Sequence, residues 1–269
     1  MKPLIIGHRG AAAVAPENTL VSFERALHDG ADGIEFDVRI ARDRLPVVIH
    51  DETLKRTALR KGRIANLSSA ELSEIDVGTW FNLYRPLQAK MEFAGARIPL
   101  LSNVFEMLKE GEAILYVELK CVPKDRSIMA AEVAKLIQAH SLKSRTVVES
   151  FDHGAIAEIK RIDSGFRTAA LFDRRFTQPA PSMRKMIDRA KFCGAEEIAL
   201  HHSLVTRKTV EHAARSGLRI VVWTVDNTDW IESAIKDGIH AIITNNPAKM
   251  SARRSELMKG KDEGGRRKG

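Results

Sequence analysis

Short apolar, β-branched runs recur along the chain at 4–7, 33–38, 114–119, 146–150, 168–171, 197–201, 219–224 and 241–244. Runs of this length and composition predict buried strands. The segments between them change to helical period: Ala130, Val133, Ala134 and Ile137 make one apolar stripe, and Leu100, Val104 and Leu108 make another. Asp29-Gly30 and Ser216-Gly217 supply stops after two of these helices. Alternating strands and helices require parallel strands, and eight of them in about 245 residues fit a closed α/β (β/α)8 TIM barrel better than an open doubly wound sheet. The Gly-rich fingerprint of a dinucleotide-binding open sheet is missing.

Start-to-start spacings are 29, 81, 32, 22, 29, 22 and 22 residues, so the second interval holds something extra. After Glu35-Phe36-Asp37-Val38-Arg39-Ile40 comes the polar break 41–44, then a second apolar run at 45–50. Four residues cannot carry a parallel crossover, so this run should fold back antiparallel and return His50 to the rim that the second strand has just left. Residues 51–97 follow as an irregular insertion with Trp80, Phe81, Tyr84 and Phe93, read as a cap over that rim whose aromatics form mainly its own small core. The expected division is one barrel domain over 1–250, the cap at about 51–97 within it, and a basic flexible tail over 251–269.

Composition narrows the class. The chain is 44% apolar and 29% charged, which suits a water-soluble globular domain. No run approaches the roughly 18 apolar residues of a membrane span. Residues 1–7 lead straight into His8-Arg9 instead of the apolar core of a signal peptide. The expected location is therefore the cytoplasm, without stable membrane insertion. Cys121 and Cys193 give neither a disulfide framework nor a CxxC metal spacing. A net charge of +8 raises nucleic acid as a partner, but residues 251–269 hold seven basic and three acidic residues, half of that excess. A solvated basic end accounts for it, and no nucleic-acid partner is expected.

In such a barrel the chemistry sits where the strands end. The first run ends in His8-Arg9-Gly10, the second carries Glu35 and Asp37, the return run delivers His50-Asp51, the third ends Glu118-Leu119-Lys120 and the seventh Trp223-Thr224. Residues two apart share a strand face, so Glu35 with Asp37 and Glu118 with Lys120 point toward the axis. Three converging carboxylates call for a cation, and an all-oxygen set selects one Mg²⁺ or Ca²⁺, leaving that choice open. The competing reading is a purely structural salt-bridged cluster with Arg9 and Lys120. His8 and His50 reach the same rim from separate segments, which suits acid–base transfer to attacking and leaving oxygens. Arg9 and Lys120 add the positive donors that a phosphoryl group needs. His201-His202 lacks a third nitrogen or sulfur partner and reads as a rim feature.

The ordered strings His8-Arg9-Gly10, Pro16-Glu17-Asn18-Thr19, Glu35-Phe36-Asp37-Val38, Val48-Ile49-His50-Asp51, Glu118-Leu119-Lys120, Ser150-Phe151, Trp223-Thr224-Val225 and Asp237-Gly238 leading to Ile243-Thr244-Asn245-Asn246-Pro247 resemble the glycerophosphodiester phosphodiesterases. The resemblance runs from about residue 4 to 247. It implies a metal-dependent hydrolase of small-molecule glycerophosphodiesters, with Glu35, Asp37 and Glu118 as metal ligands, His8 and His50 as general acid and base, and Arg9 and Lys120 on the phosphate. It further implies that Trp223 packs on the glycerol or head group and that the insertion is the family's cap. Glu17 and Asn18 are read as ordering the first loop and capping the first helix. The chain departs from the family pattern at Asp43-Arg44-Leu45, where Asp-Gly is frequent, at Ser102, where an acidic residue is common, and at Asn246. Two rivals remain: a lysophospholipase D or sphingomyelinase D type lipid phosphodiesterase, and an inactive barrel acting as a binding protein.

Overall fold

A parallel strand can be followed by another only across a helix, and the alternation read from the sequence is realised along the chain. The computed structural model describes residues 2–174 and 181–266. Its order is β1 (Leu4–His8), α1 (Leu20–His28), β2 (Gly33–Ile40), β3 (Pro46–Val48), α2 (Ser69–Ser73), α3 (Thr79–Tyr84), α4 (Leu101–Leu108), β4 (Ile114–Leu119) and α5 (Arg126–Ala139). There follow β5 (Thr146–Ser150), α6 (His153–Ile162), β6 (Arg167–Phe172), α7 (Met183–Phe192), β7 (Glu197–His201), α8 (Arg207–Arg215), β8 (Arg219–Trp223), α9 (Asp229–Asp237), β9 (Ala241–Thr244) and α10 (Pro247–Arg266). Strand order β1-β9-β8-β7-β6-β5-β4-β2 is closed by parallel pairing of β1 with β2, His8 opposite Glu35. The sheet is thus a barrel of eight parallel strands, and the open-sheet alternative is excluded.

β3 returns antiparallel beside the end of β2, Val38 opposite Val48, and Ile49 N donates to Asp37 O at 2.9 Å. The hairpin carries His50 back to the rim at the end of β2, as the short polar break required. Arg44 stands in its turn with φ +67°, a left-handed conformation that glycine adopts without a Cβ penalty.

Two apolar layers hold the barrel. Outside it, Phe23, Phe36 and Phe105 pack between strands and helices, with Phe23 and Phe36 centroids 5.5 Å apart. Inside it, Ile6, Tyr116, Val147, Ala169, Leu171, Ala199, Val221, Ala241 and Ile243 fill the axis, so the barrel is a packed core and not a pore. Gly33 lets β2 approach β4: a Cβ there would run into the Ile114 carbonyl.

The insertion has two small cores of its own. Leu54, Ile64, Leu72, Ile75, Val77 and Ile98 pack on the hairpin residues Val47 and Ile49, and Phe81 and Phe93 pack on Ala15 of the first loop. Tyr84 was expected in that core, but it is largely exposed. The first residues of the basic tail expected from Ser251 are anchored to the barrel. Residues 251–266 continue α10, the Ser251 hydroxyl donates to Gly30 O at 2.7 Å, and the buried Arg254 pairs with Asp32 and donates to Pro3 O at 2.9 Å. Two side chains with good bonding partners outweighed the basic, glycine-containing composition. Residues 267–269 of that expected tail lie outside the described residues.

Candidate active site

β1 ends in a turn that only unusual backbone can make: Arg9 has φ +52° and Gly10 φ +88°, and a Cβ on Gly10 would collide with Ser22. The turn aims the Arg9 amide at Glu35 Oε2, 3.0 Å away, and brings its guanidinium Nε to 3.1 Å from Asp37 Oδ2 and its Nη1 to 2.7 Å from Glu17 Oε1. The strand register places Asp37 of β2 directly beside Glu118 of β4. Glu35, Asp37 and Glu118 are all buried, and each offers an oxygen within 4.8 Å of the others. Among the described residues this is the one group of three or more His, Cys, Asp or Glu side chains with that geometry.

Lys120 closes the cluster, its Nζ 2.7 Å from Glu118 Oε1 and 3.2 Å from Asp37 Oδ1. These are close contacts of opposite charge: both oxygens are buried, and neither has a hydrogen-bond donor aligned on it. Two cations therefore face three carboxylates, and two oxygens are left without an aligned donor. Burial, then Asp37 and Glu118, pushes the Glu35 carboxyl well above the usual range, and burial followed by Asp37 pushes Glu118 up to about 7. Burial opposes ionisation of Asp37 too, but Arg9 and Lys120 beside it hold its carboxyl far below the ordinary value. An added cation would relieve the strain on all three, and oxygen donors alone suit Mg²⁺ or Ca²⁺. The donor set fits such an ion.

The histidines flank this cluster. His8 Nδ1 lies 2.7 Å from Asn245 Oδ1, which fixes the ring with Nε2 3.9 Å from Glu35 Oε2. His50 Nδ1 lies 2.7 Å from Asp51 Oδ1. Burial, then the Arg9 charge, lowers His8 to about 4; burial also lowers His50. Trp223 forms a wall at the mouth, edge to face with Phe151 at 5.5 Å and with His201 at 5.3 Å. His201 and His202 stack on each other 4.2 Å apart, with His201 Nδ1 bound to Ser203 Oγ at 2.8 Å; both stand on the rim outside the carboxylate group.

Three features were not read from the sequence. Asn18 does not cap the first helix: Thr19 does, accepting from Ser22 N, while Asn18 Nδ2 donates to Asp37 Oδ2 at 2.8 Å and its Oδ1 accepts from Asp37 N at 3.2 Å. Glu17 belongs to a chain of ion pairs: it binds Arg9, then Arg56 through both oxygens at 2.7 Å, and Arg56 reaches Asp51, the partner of His50. A cap residue thereby ties the two histidine loops together. Glu149 of β5 is the third. It is buried opposite Glu118, its Oε2 has no hydrogen-bond partner, and burial with the nearby Glu35 and Glu118 pushes its carboxyl well above the usual range. Its place two residues before Phe151, on the same strand face, was the available signal.

Comparison with known proteins decides the family. The family model described as "Glycerophosphoryl diester phosphodiesterase family" matches residues 8–249. The chain belongs to that family. By that membership it is a glycerophosphodiester phosphodiesterase, a phosphoric diester hydrolase. A glycerophosphodiester phosphodiesterase of Caldanaerobacter subterraneus subsp. tengcongensis is 31% identical over 249 residues, covering 92% of this chain and 96% of the relative. The crystal structure of a glycerophosphodiester phosphodiesterase from Agrobacterium tumefaciens superposes with a TM-score of 0.75 at 28% identity, covering 93% of this chain and 99% of the other. A phosphodiesterase from Oleispira antarctica, whose structure holds the product sn-glycerol 3-phosphate, shares the fold with a TM-score of 0.82 at 24% identity, covering 93% and 96%. Among the described residues no helix is long and apolar enough to cross a membrane.

Proposed function

We propose that this family member hydrolyses glycerophosphodiesters to sn-glycerol 3-phosphate and an alcohol, with one divalent cation, Mg²⁺ or Ca²⁺, held by Glu35, Asp37 and Glu118, and with His8 and His50 as the acid–base pair. The observation that carries the reading is the pair of imidazoles beside the carboxylates, each with Nδ1 already engaged, by Asn245 and by Asp51. Their Nε2 atoms are left for proton transfer. Residues 1–250 act as one catalytic unit with 51–97 as its cap, and the proposed compartment is the cytoplasm, which two free thiols suit.

His8, lowered to about 4, is neutral at pH 7 and can take the proton of an attacking hydroxyl or water. The anionic diester favours the imidazolium form of the ring nearest the leaving oxygen, which can then give its proton to the departing alcohol. Arg9 and Lys120 turn from carboxylate to phosphate oxygens, and the Phe151–Trp223 wall receives the glycerol or head group. When bound, the cation supplies Lewis-acid neutralisation of charge developing on phosphorus.

Stripping the protein with chelator and restoring Mg²⁺ or Ca²⁺ separately tests this, read as glycerol 3-phosphate released from glycerophosphocholine and glycerophosphoethanolamine. Release is expected only with metal; full release after stripping would overturn the cation's role. A lysophospholipase D reading is favoured by one observation, a groove of about 610 Å³ lined by Leu59, Trp80 and Tyr84 beside Asp51. Cleavage of lysophosphatidylcholine with silence on glycerophosphocholine would establish it.

A further inference from the structure

The cap carries a feature that hydrolysis does not use. Residues 83–92 are exposed without interruption, and four of them are large and apolar: Leu83 at 64%, Tyr84 at 71%, Leu87 at 102% and Met91 at 95% exposure. The loop is not loose. Asn82 pins its neck by donating Nδ2 to Lys90 O at 2.9 Å and accepting from Lys90 N at 3.1 Å, so the segment between them stands out as a knuckle. Phe81 and Phe93, buried against Ala15 at its base, fix it to the barrel. An apolar tip held out this far is a cost to a water-soluble surface unless something covers it.

Charge says what covers it. The knuckle holds Arg85 and Lys90 against a single acid, Glu92. On a groove that Tyr84 also lines, the exposed Leu59 is followed by Arg60 and Lys61, and together with Lys55 these cations make no ion pair among the described residues. Tyr84 and Leu59 both line that groove, with Lys55, so the apolar tips of the two segments meet at one groove. A stable protein partner takes roughly 20–30 residues a side, more than a ten-residue convex knuckle offers. A bilayer asks less: a few apolar side chains and an aromatic ring at the headgroup boundary, with basic residues toward anionic lipid.

We propose that the knuckle at 83–91, together with Leu59, Arg60 and Lys61, is a peripheral docking surface for an anionic lipid bilayer. Asp51, which holds His50, lines the same groove as Tyr84 and Leu59, so docking sets the catalytic mouth at headgroup level. The proposal does not depend on which diester is cleaved, because its readout is binding.

The test is co-sedimentation of the full chain with vesicles of phosphatidylcholine containing one-third phosphatidylglycerol, with pure phosphatidylcholine vesicles alongside. Wild type should bind the anionic vesicles, lose binding as salt is raised, and bind at least about tenfold more weakly as the double variant Leu83→Asp, Leu87→Asp. The variant's hydrolysis of a soluble diester should be unchanged, which excludes a folding defect. Absence of wild-type binding, or equal binding by the variant, would overturn the proposal. So would a wild-type dimer in sedimentation velocity that the variant loses, since the knuckle would then be an interface between copies.

Discussion

The two ends of the barrel interior both bury carboxylates, and they treat them differently. At the N-terminal end Glu197 of β7 accepts from Arg219 at 2.7 Å and Arg167 at 3.2 Å on one oxygen, and from the Tyr116 hydroxyl at 2.8 Å on the other. Both oxygens of that carboxylate have a donor. At the C-terminal end Asp37 Oδ1 and Glu118 Oε1 meet the charge of Lys120 without an aligned donor, and Glu149 Oε2 is buried without a partner. Satisfied burial marks a group that holds the fold, and buried oxygens aimed together without donors mark a place kept for a ligand. On the proposed assignment, the barrel separates stability from chemistry along its own axis.

The contrast can be broken at either end. Replacing His8 or His50 by Ala should lower turnover by about 10²–10⁴-fold, the usual share of acid–base catalysis, while the melting temperature stays within a few degrees. Turnover surviving in both variants would remove the histidines from the chemistry. Glu197→Ala should act in the opposite sense: it leaves two arginines facing one another and should destabilise by about 3–5 kcal/mol in denaturant titration, with kcat per folded molecule unchanged. A stable but inactive Glu197→Ala protein would erase the distinction between the ends.

Smaller effects sharpen the boundary. Arg56 touches no reacting atom, yet it bridges Glu17 and Asp51 and so orients both histidine loops. Arg56→Ala should lower kcat about tenfold with KM little changed, and Arg56→Lys should recover part of it. Equal losses of kcat in the two variants would argue against orientation by charge. In the hairpin, Arg44→Gly should stabilise by about 0.5–1 kcal/mol by removing the left-handed strain, with activity untouched.

Much of this was legible beforehand for physical reasons. The β-branched runs mark all eight barrel strands because strands buried on both faces need continuous apolar sequence, and a four-residue break could only make a hairpin. Residues two apart on a strand identified Glu35, Asp37, Glu118 and Lys120 as neighbours. What escaped depends on contacts far apart in sequence. Nothing local says that Arg56 reaches Glu17, 39 positions away, or that Asn245 turns the ring of His8, 237 positions away. Arg254 looked like one more charge in a basic tail until Asp32 gave it a partner. Glu149 obeys the same two-residue rule, but only the pairing of β5 with β4 sets it opposite Glu118, and no local pattern announces that register.

Calorimetric titration of chelator-stripped protein with Mg²⁺ and with Ca²⁺, beside Asp37→Asn and Glu197→Gln, tests the central claim most directly. One ion should bind wild type and Glu197→Gln with equal affinity, and Asp37→Asn should bind it at least about tenfold more weakly. Equal binding by Asp37→Asn, or no binding by any of the three, would contradict the assignment of the C-terminal carboxylates to a metal and return them to a salt-bridged cluster with Arg9 and Lys120.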